Sequence, residues 1–177
     1  MDAIRDTLAA VTTTIAELIA RIDRAEARLA GHATAPPDGL TEPDERTGEQ
    51  WEAGQAFGHL AEMVPYWHGQ VRRVLEPGAM RPVSFGRVAS DPGRLAAIED
   101  GRREPPEEAM TRLKAALADL RRELATLSPD DLAVHGTHPT LGAMEVRTII
   151  EWFLARHLEE HADQLDKVHD GSRDVPA

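Results

Sequence analysis

Two histidines four residues apart, His157 and His161, stand in a stretch whose other regularly spaced residues, Val146, Ile149, Ile150, Phe153, Leu165 and Val168, are apolar. On a helix, four residues turn a side chain through only about 40°, so the two imidazoles project from one face about one turn apart. Two rings placed in this way can chelate one ion. The same spacing occurs in the HExxH pair of helical zinc proteases, but Leu158 rather than a glutamate follows His157, so that motif is absent. A third ligand has to come from another segment. His59, in Gly58-His59-Leu60-Ala61-Glu62-Met63, borders the apolar side of a second helical pattern, and Gly58 would permit a close approach. Three neutral imidazoles suit zinc, nickel, iron or copper, whereas magnesium or calcium would call for oxygen ligands. With three protein ligands an ion keeps at least one open position, as at a catalytic rather than a closed structural site. The competing reading is histidines hydrogen-bonded within the core, since burying imidazoles without partners is costly. Spacing alone leaves both readings open.

Long helices must position these residues. From Ile4 to about Leu29 the apolar residues Ile4, Leu8, Val11, Ile15, Leu18, Ile22 and Leu29 recur at helical spacing, and Gly31 follows as a stop signal. Residues 35–48, with Pro36, Pro37, Gly39 and Pro43, read as a loop. A second helix is expected from Gln50 or Trp51 to Glu76, distorted at Pro65 and ended by Pro77-Gly78. Residues 77–106 are rich in Pro, Gly and Arg and too long for a plain connection. They predict a structured excursion, with a short helical turn at 94–99, that could wall or cover a pocket. The third helix runs from Pro106 to Leu127 on the stripe Leu113, Leu117, Leu120, Leu124 and Leu127. Residues 132–141, with Gly136 and Pro139, read as irregular, and a fourth helix is expected from Gly142 or Ala143 to about Val168. Four long helices and no convincing strand predict an all-α four-helix bundle with long crossover connections. Residues 1–170 read as a single domain and residues 171–177 as a C-terminal tail.

Composition narrows the chemistry. The absence of cysteine excludes a disulfide framework, a Cys-based zinc site and a thiol nucleophile on the protein, so any soft chemistry must come from a ligand. A formal net charge of −11 argues against nucleic acid and against an anionic membrane surface as partners. The N-terminus lacks the basic start and apolar run of a signal peptide, and no stretch approaches the ~20 apolar residues of a membrane span. A cytoplasmic location is expected.

No side chain is assigned a catalytic role by pattern. Glu62 and Glu160 lie near the histidines in sequence and are the candidates to orient one or to accept a proton, against the commoner role of solvated helix charge. Gln164 is two turns beyond His157 and within reach of the site or of a ligand's hydrogen bond. His138, before Pro139, is expected to fix its loop through a backbone hydrogen bond. His32, His68, His135 and His169 have no paired spacing, and His68 turns to the opposite side of its helix from His59. Trp51, Trp67 and Trp152 are expected to pack in the core. Arg147 and Arg156 could meet a substrate carboxylate, although exposed helix arginines are the commoner case.

Three stretches, in order and spacing, resemble the DinB-like family of small helical metalloproteins over nearly the whole chain. They are Trp51 to Leu60, Leu127 to Leu132 continuing through Gly136 to Met144, and His157-Leu158-Glu159-Glu160-His161-Ala162-Asp163-Gln164-Leu165. The resemblance implies a four-helix bundle with one ligand histidine on helix two and an HxxxH pair on helix four, carried here onto His59, His157 and His161. It also implies thiol-dependent activities, among them thiol transferases and a mycothiol-dependent maleylpyruvate isomerase, and members that are often dimers, which allows a homodimer. The expected function is a metal-dependent enzyme, with zinc or nickel ahead of iron or copper. It would activate a low-molecular-weight thiol such as mycothiol, for transfer or isomerisation, or water, for hydrolysis. The alternative is a noncatalytic metal- or small-molecule-binding bundle.

Overall fold

Thr14 opens the first helix with a reciprocal cap: its hydroxyl accepts from the Glu17 N–H at 3.2 Å, and the Glu17 carboxylate accepts from the Thr14 N–H at 2.6 Å. Two donors that no helical carbonyl can reach are satisfied in this way. The computed structural model describes residues 13–44, 48–79 and 82–173, with side chains described as far as Val168. The expected helical start at 4–12 and the last residues of the expected tail, 174–177, lie outside the described residues. Helix α1, Ile15–Thr34, buries Leu18, Ile22, Ala25 and Leu29 and runs three residues past Gly31. Helix α2, Ala53–Leu75, continues through Pro65, which sits on its exposed side.

The excursion after α2 is structured. It carries the short strand β1, Val83–Ser84, and helix α3, Pro92–Gly101, whose N-terminus is capped by the Asp91 side chain accepting from the Arg94 N–H at 3.0 Å. Helix α3 lies tightly across α2. A Cβ on Gly58 would fall 2.6 Å from the Ala97 carbonyl oxygen, and one on Gly101 would fall 2.5 Å from that of Gly54. Gly58 therefore serves the approach of α3 rather than of an ion. Helix α4, Pro106–Leu124, buries Leu113, Leu117, Leu120 and Leu124 as its stripe predicts.

After a short helix α5, Pro129–Leu132, residues 132–141, expected to be irregular, hold strand β2, His135–His138, which forms a hairpin with β3, Gly142–Glu145, at the place where the fourth helix was expected to start. Strand β1 joins β2 in parallel, giving a three-stranded sheet in the order β1-β2-β3. The expectation of no strand is thus corrected. Strands of two to four residues, the central one His-Gly-Thr-His, show no usable alternation, and β1 pairs with a segment about fifty residues away.

The last helix begins at Val146 and has three parts. These are α6, Val146–Ile150, a wide π-helical turn, Glu151–Arg156, and α7, His157–Arg173. The wide turn absorbs an extra residue, so the core-facing positions within and beyond it are Leu154, Leu158 and Ala162, all fully buried, in place of the expected Phe153 and His157. Helices α1, α2, α4 and the last helix form the bundle. Helix α1 packs on α4 and the last helix, and α2 packs on α3 and α4. Among the described residues no helix is long and apolar enough to cross a membrane.

Candidate metal centre and its cavity

Helix α2 supplies His59, and α7 supplies His157, just past the wide turn, and His161 one turn on. His157 Nε2 lies 3.0 Å from His59 Nε2 and 3.1 Å from His161 Nε2. One ligand nitrogen from each ring lies within 4.8 Å of the other two. An imidazole nitrogen carries one proton or one lone pair, so His157 Nε2 can make only one good hydrogen bond in this group. Two nitrogens bound to a tetrahedral ion at about 2.05 Å are about 3.3 Å apart, close to the 3.0 and 3.1 Å found here, so the converging rings suit one transition-metal ion.

The rings are neutral in this setting. Burial holds His59 well below its usual value, with the neighbouring His161 and His157 adding to the effect. Burial, then Arg94 and Arg87, pushes His157 down to about 4. Burial and His157 push His161 down to about 3, against the opposing hydrogen bond from Gln164. Neutral imidazole is the form that offers a lone pair to a metal.

The outward nitrogens differ. His161 Nδ1 lies 2.8 Å from Gln164 Oε1, the hydrogen bond that leaves Nε2 facing the group. His157 Nδ1 is 3.8 Å from Glu160 Oε2, and His59 Nδ1 is buried with no partner among the described residues. Trp51 stacks on His161 at 5.4 Å and meets His59 edge-on at 5.1 Å. Its position is fixed by Thr41, whose N–H donates to the Trp51 carbonyl at 2.8 Å and whose hydroxyl accepts from the Trp51 N–H at 2.9 Å. The loop before α2 therefore forms one side of the site.

A cavity of about 600 Å³ opens onto His59 and His157, with Trp67, Phe153, Arg87 and Arg94 in its walls. Both arginines come from the excursion. Arg87 grips Glu62 through two hydrogen bonds of 2.6 and 2.5 Å and reaches Asp91 at 3.1 Å. Arg94 pairs with Glu49 at 3.0 Å and donates to the Ala89 carbonyl at 2.9 Å. Glu62 is thus turned to Arg87. Glu160 lines the cavity beside His157 and pairs with Arg156 at 2.7 Å. Arg147 lies elsewhere, donating to the Thr13 carbonyl.

His138 accepts from the Thr140 and Leu141 N–H groups, each at 3.3 Å, which fixes the β2–β3 turn. Its ring also lines the cavity and is buried. His32 pairs with Asp166 and His68 with Glu123, both apart from the cavity. His135 faces Glu145 at 3.8 Å, and the side chain of His169 lies outside the described residues. Trp152 is 47% exposed, so the expectation of core packing fails for it. Sequence reasoning missed Arg87 and Arg94. Asp91-Pro92, a capping residue followed by proline, was the available signal that a helix would hold Arg94 in place.

The family model of the DinB superfamily matches residues 21–165. No curated protein matches the sequence significantly. Among solved structures, the chain is similar to YfiT from Bacillus subtilis, described as a "probable metal-dependent hydrolase with an unusual four-helix bundle topology". The identity is 14%, covering 97% of this chain and 93% of that one, with a TM-score of 0.73. It is also similar to a mycothiol-dependent maleylpyruvate isomerase at 12% identity and a TM-score of 0.63, covering 85% of this chain but 60% of that one. A third similar structure is the colibactin self-resistance protein ClbS in complex with double-stranded DNA. Here the identity is 20% and the TM-score 0.62, covering 95% of this chain and 100% of that one. A fold that carries DNA in one protein gives no support to the exclusion of nucleic acid drawn above from net charge.

Proposed function

The chain belongs to the DinB superfamily, and from that premise we propose that His59, His157 and His161 hold one divalent transition metal, zinc or nickel, in a metal-dependent enzyme acting on a small molecule. The observation that carries the reading is the convergence of three neutral imidazoles at the edge of a cavity of about 600 Å³. Cavities of about 300–1,000 Å³ are the size that small-molecule sites use. A bound ion would supply Lewis acidity, lowering the pKa of water or of a low-molecular-weight thiol such as mycothiol enough to give a nucleophile near neutral pH.

The chain's own groups do the rest. Gln164 orients His161, while Trp51 and the Thr41 loop shield the ligand rings from solvent on one side. Glu160, 3.8 Å from His157 Nδ1 and on the cavity wall, is the carboxylate placed to accept a proton there. Glu62 serves a different end in this reading: its ion pair with Arg87 anchors the excursion that walls the cavity. The open cavity favours a site that takes a small molecule over an ion that only ties two helices together, which would need no space beside it.

Elemental mass spectrometry of protein purified without a nickel column tests the proposal. About one ion per chain is expected, lost in His59→Ala and His157→Ala variants that remain folded. Folded wild-type protein that refuses both zinc and nickel would overturn it.

A further inference from the structure

The mouth of the histidine cavity gathers exposed apolar side chains beside the exposed Arg156–Glu160 pair. Among the described residues the exposed large hydrophobic side chains are Leu40, Val88, Leu95, Leu141 and Trp152. Three of them, Val88, Leu141 and Trp152, line this one cavity, and they come from three separate segments: the β1–α3 loop, the β2–β3 turn and the wide turn of the last helix. Scattered exposed apolar residues are ordinary, but their convergence on one opening marks a binding surface.

Behind the rim the wall is made of stacked rings. Trp67 and Phe153 lie 4.0 Å apart with planes 7° from parallel. His138 lies 5.5 Å from Phe153 at 19°. All three line the cavity together with His59 and His157, so its inner wall is aromatic. Away from the histidine group, where a bound divalent ion would itself attract an anion, the cationic side chains of the rim and wall give an anion little to bind. Arg87 is held by Glu62 and Asp91, Arg94 by Glu49, and Arg156 by Glu160, which is itself in the lining. A substrate carboxylate or sulfonate would have to displace one of these carboxylates from its arginine.

Resting on the enzymatic reading above, we propose that the substrate class is an uncharged, flat aromatic compound whose ring lies between the rim of Val88, Leu141 and Trp152 and the Trp67–Phe153 wall, with its reactive end toward His59 and His157. The aromatic body would be recognised by stacking and apolar burial, and the polar end by the histidine group.

Three probes on one carbon skeleton test this: neutral naphthol, its saturated counterpart decahydronaphthol, and anionic naphthalene-sulfonate. Binding is measured by titration calorimetry to wild type and to a Leu141→Ser/Trp152→Ala variant, each metal-free and zinc-loaded, with zinc content determined separately. Naphthol is expected to bind the wild type about tenfold or more tightly than either other probe, a difference of about 1.4 kcal/mol, and to lose about tenfold in the variant. Both substituted residues are exposed, so the variant should fold, which its circular dichroism checks. In the metal-free protein, preference for the sulfonate, equal binding of the saturated probe, or unchanged naphthol affinity in the variant would each overturn the aromatic assignment. Zinc content reports on the metal reading independently, because naphthol selectivity in metal-free protein survives even if no ion binds.

Discussion

Lowering the pH of the metal-free protein from 7.5 to 5.0 should unfold it more easily, and the structure sets the size of the effect. His157 and His161 are held at about 4 and about 3 in the folded chain, against an ordinary value of 6.5. At pH 5 the unfolded chain therefore binds two protons that the folded chain refuses. Each ring favours the unfolded state there by about 2 kcal/mol relative to neutral pH. The His157 side chain is 33% exposed, which weakens its share, so the pair should cost roughly 2–3 kcal/mol in all. The sign follows from a folded pKa lying below the unfolded one. Stability is fully present above about pH 6.5, falls as pH drops, and levels off only when the folded rings themselves protonate near 4 and below. Carboxylates with lowered values, such as Asp91 and Asp166, act only below about pH 4 and leave this window clean. Urea denaturation in chelator at pH 7.5, 6.5, 5.5 and 5.0, for wild type and a His157→Phe/His161→Phe variant, measures the difference. His138, also pushed down by burial, is present in both proteins and cancels, whereas His59 keeps its burial but loses the two neighbouring rings and so cancels only in part. Parallel pH profiles for the two proteins would refute the burial argument.

The tight α2–α3 crossing predicts opposite signs for two glycine substitutions. Gly101→Ala should cost about 1–3 kcal/mol by thermal melting, because its Cβ meets backbone, whereas Gly69→Ala, with nothing within 4 Å and inside a helix, should gain about 0.5–1 kcal/mol. Gln164→Leu removes the acceptor facing His161 Nδ1 and should weaken zinc affinity about 10–100-fold in a chelator competition, with little change in the cavity. Zinc at a hundred times its dissociation constant should stabilise the chain by about 2.7 kcal/mol, read as a melting-temperature rise of roughly 5–10 °C that is absent in His59→Ala.

Much of the bundle was legible because its signals are dense and local. The leucine stripe of α4 and the Ile15–Leu29 stripe of α1 repeat over several turns, and the breaks at Pro77-Gly78 and Ser128-Pro129 are strong. The sheet was not legible, because its evidence is non-local. Gly136 is forced to be small by Phe85 and Val74, whose side chains would lie 2.6 and 2.7 Å from a Cβ there, and nothing adjacent in sequence announces this. The same holds for Arg87 and Arg94, which in sequence are two more arginines in a Pro- and Gly-rich stretch. They become parts of the site only once Gly54, Gly58 and Gly101 let α3 lie on α2.

The histidine pair shows where periodicity stops being enough. Read at 3.6 residues per turn from Val146, the stripe puts both His157 and His161 toward the core, yet His157 sits at the cavity edge while Leu158 is fully buried. The wide turn at Glu151–Arg156 accounts for the difference, since one residue accommodated there rotates everything beyond it by about 100° relative to an uninterrupted α-helix. Wide turns are rare, and a contact that bridges one can hold it. Arg21 of α1 is placed to do so, bonding Glu151 at 3.0 Å at the start of the turn and Glu159 at 2.9 and 2.7 Å beyond its end. The outward rotation brings His157 within reach of His59 and of the cavity at once, while Leu154 and Leu158 keep the core filled. A residue that looks misplaced on an apolar stripe is thus explained by backbone geometry at the turn before it, which no pattern of side chains in that helix encodes alone.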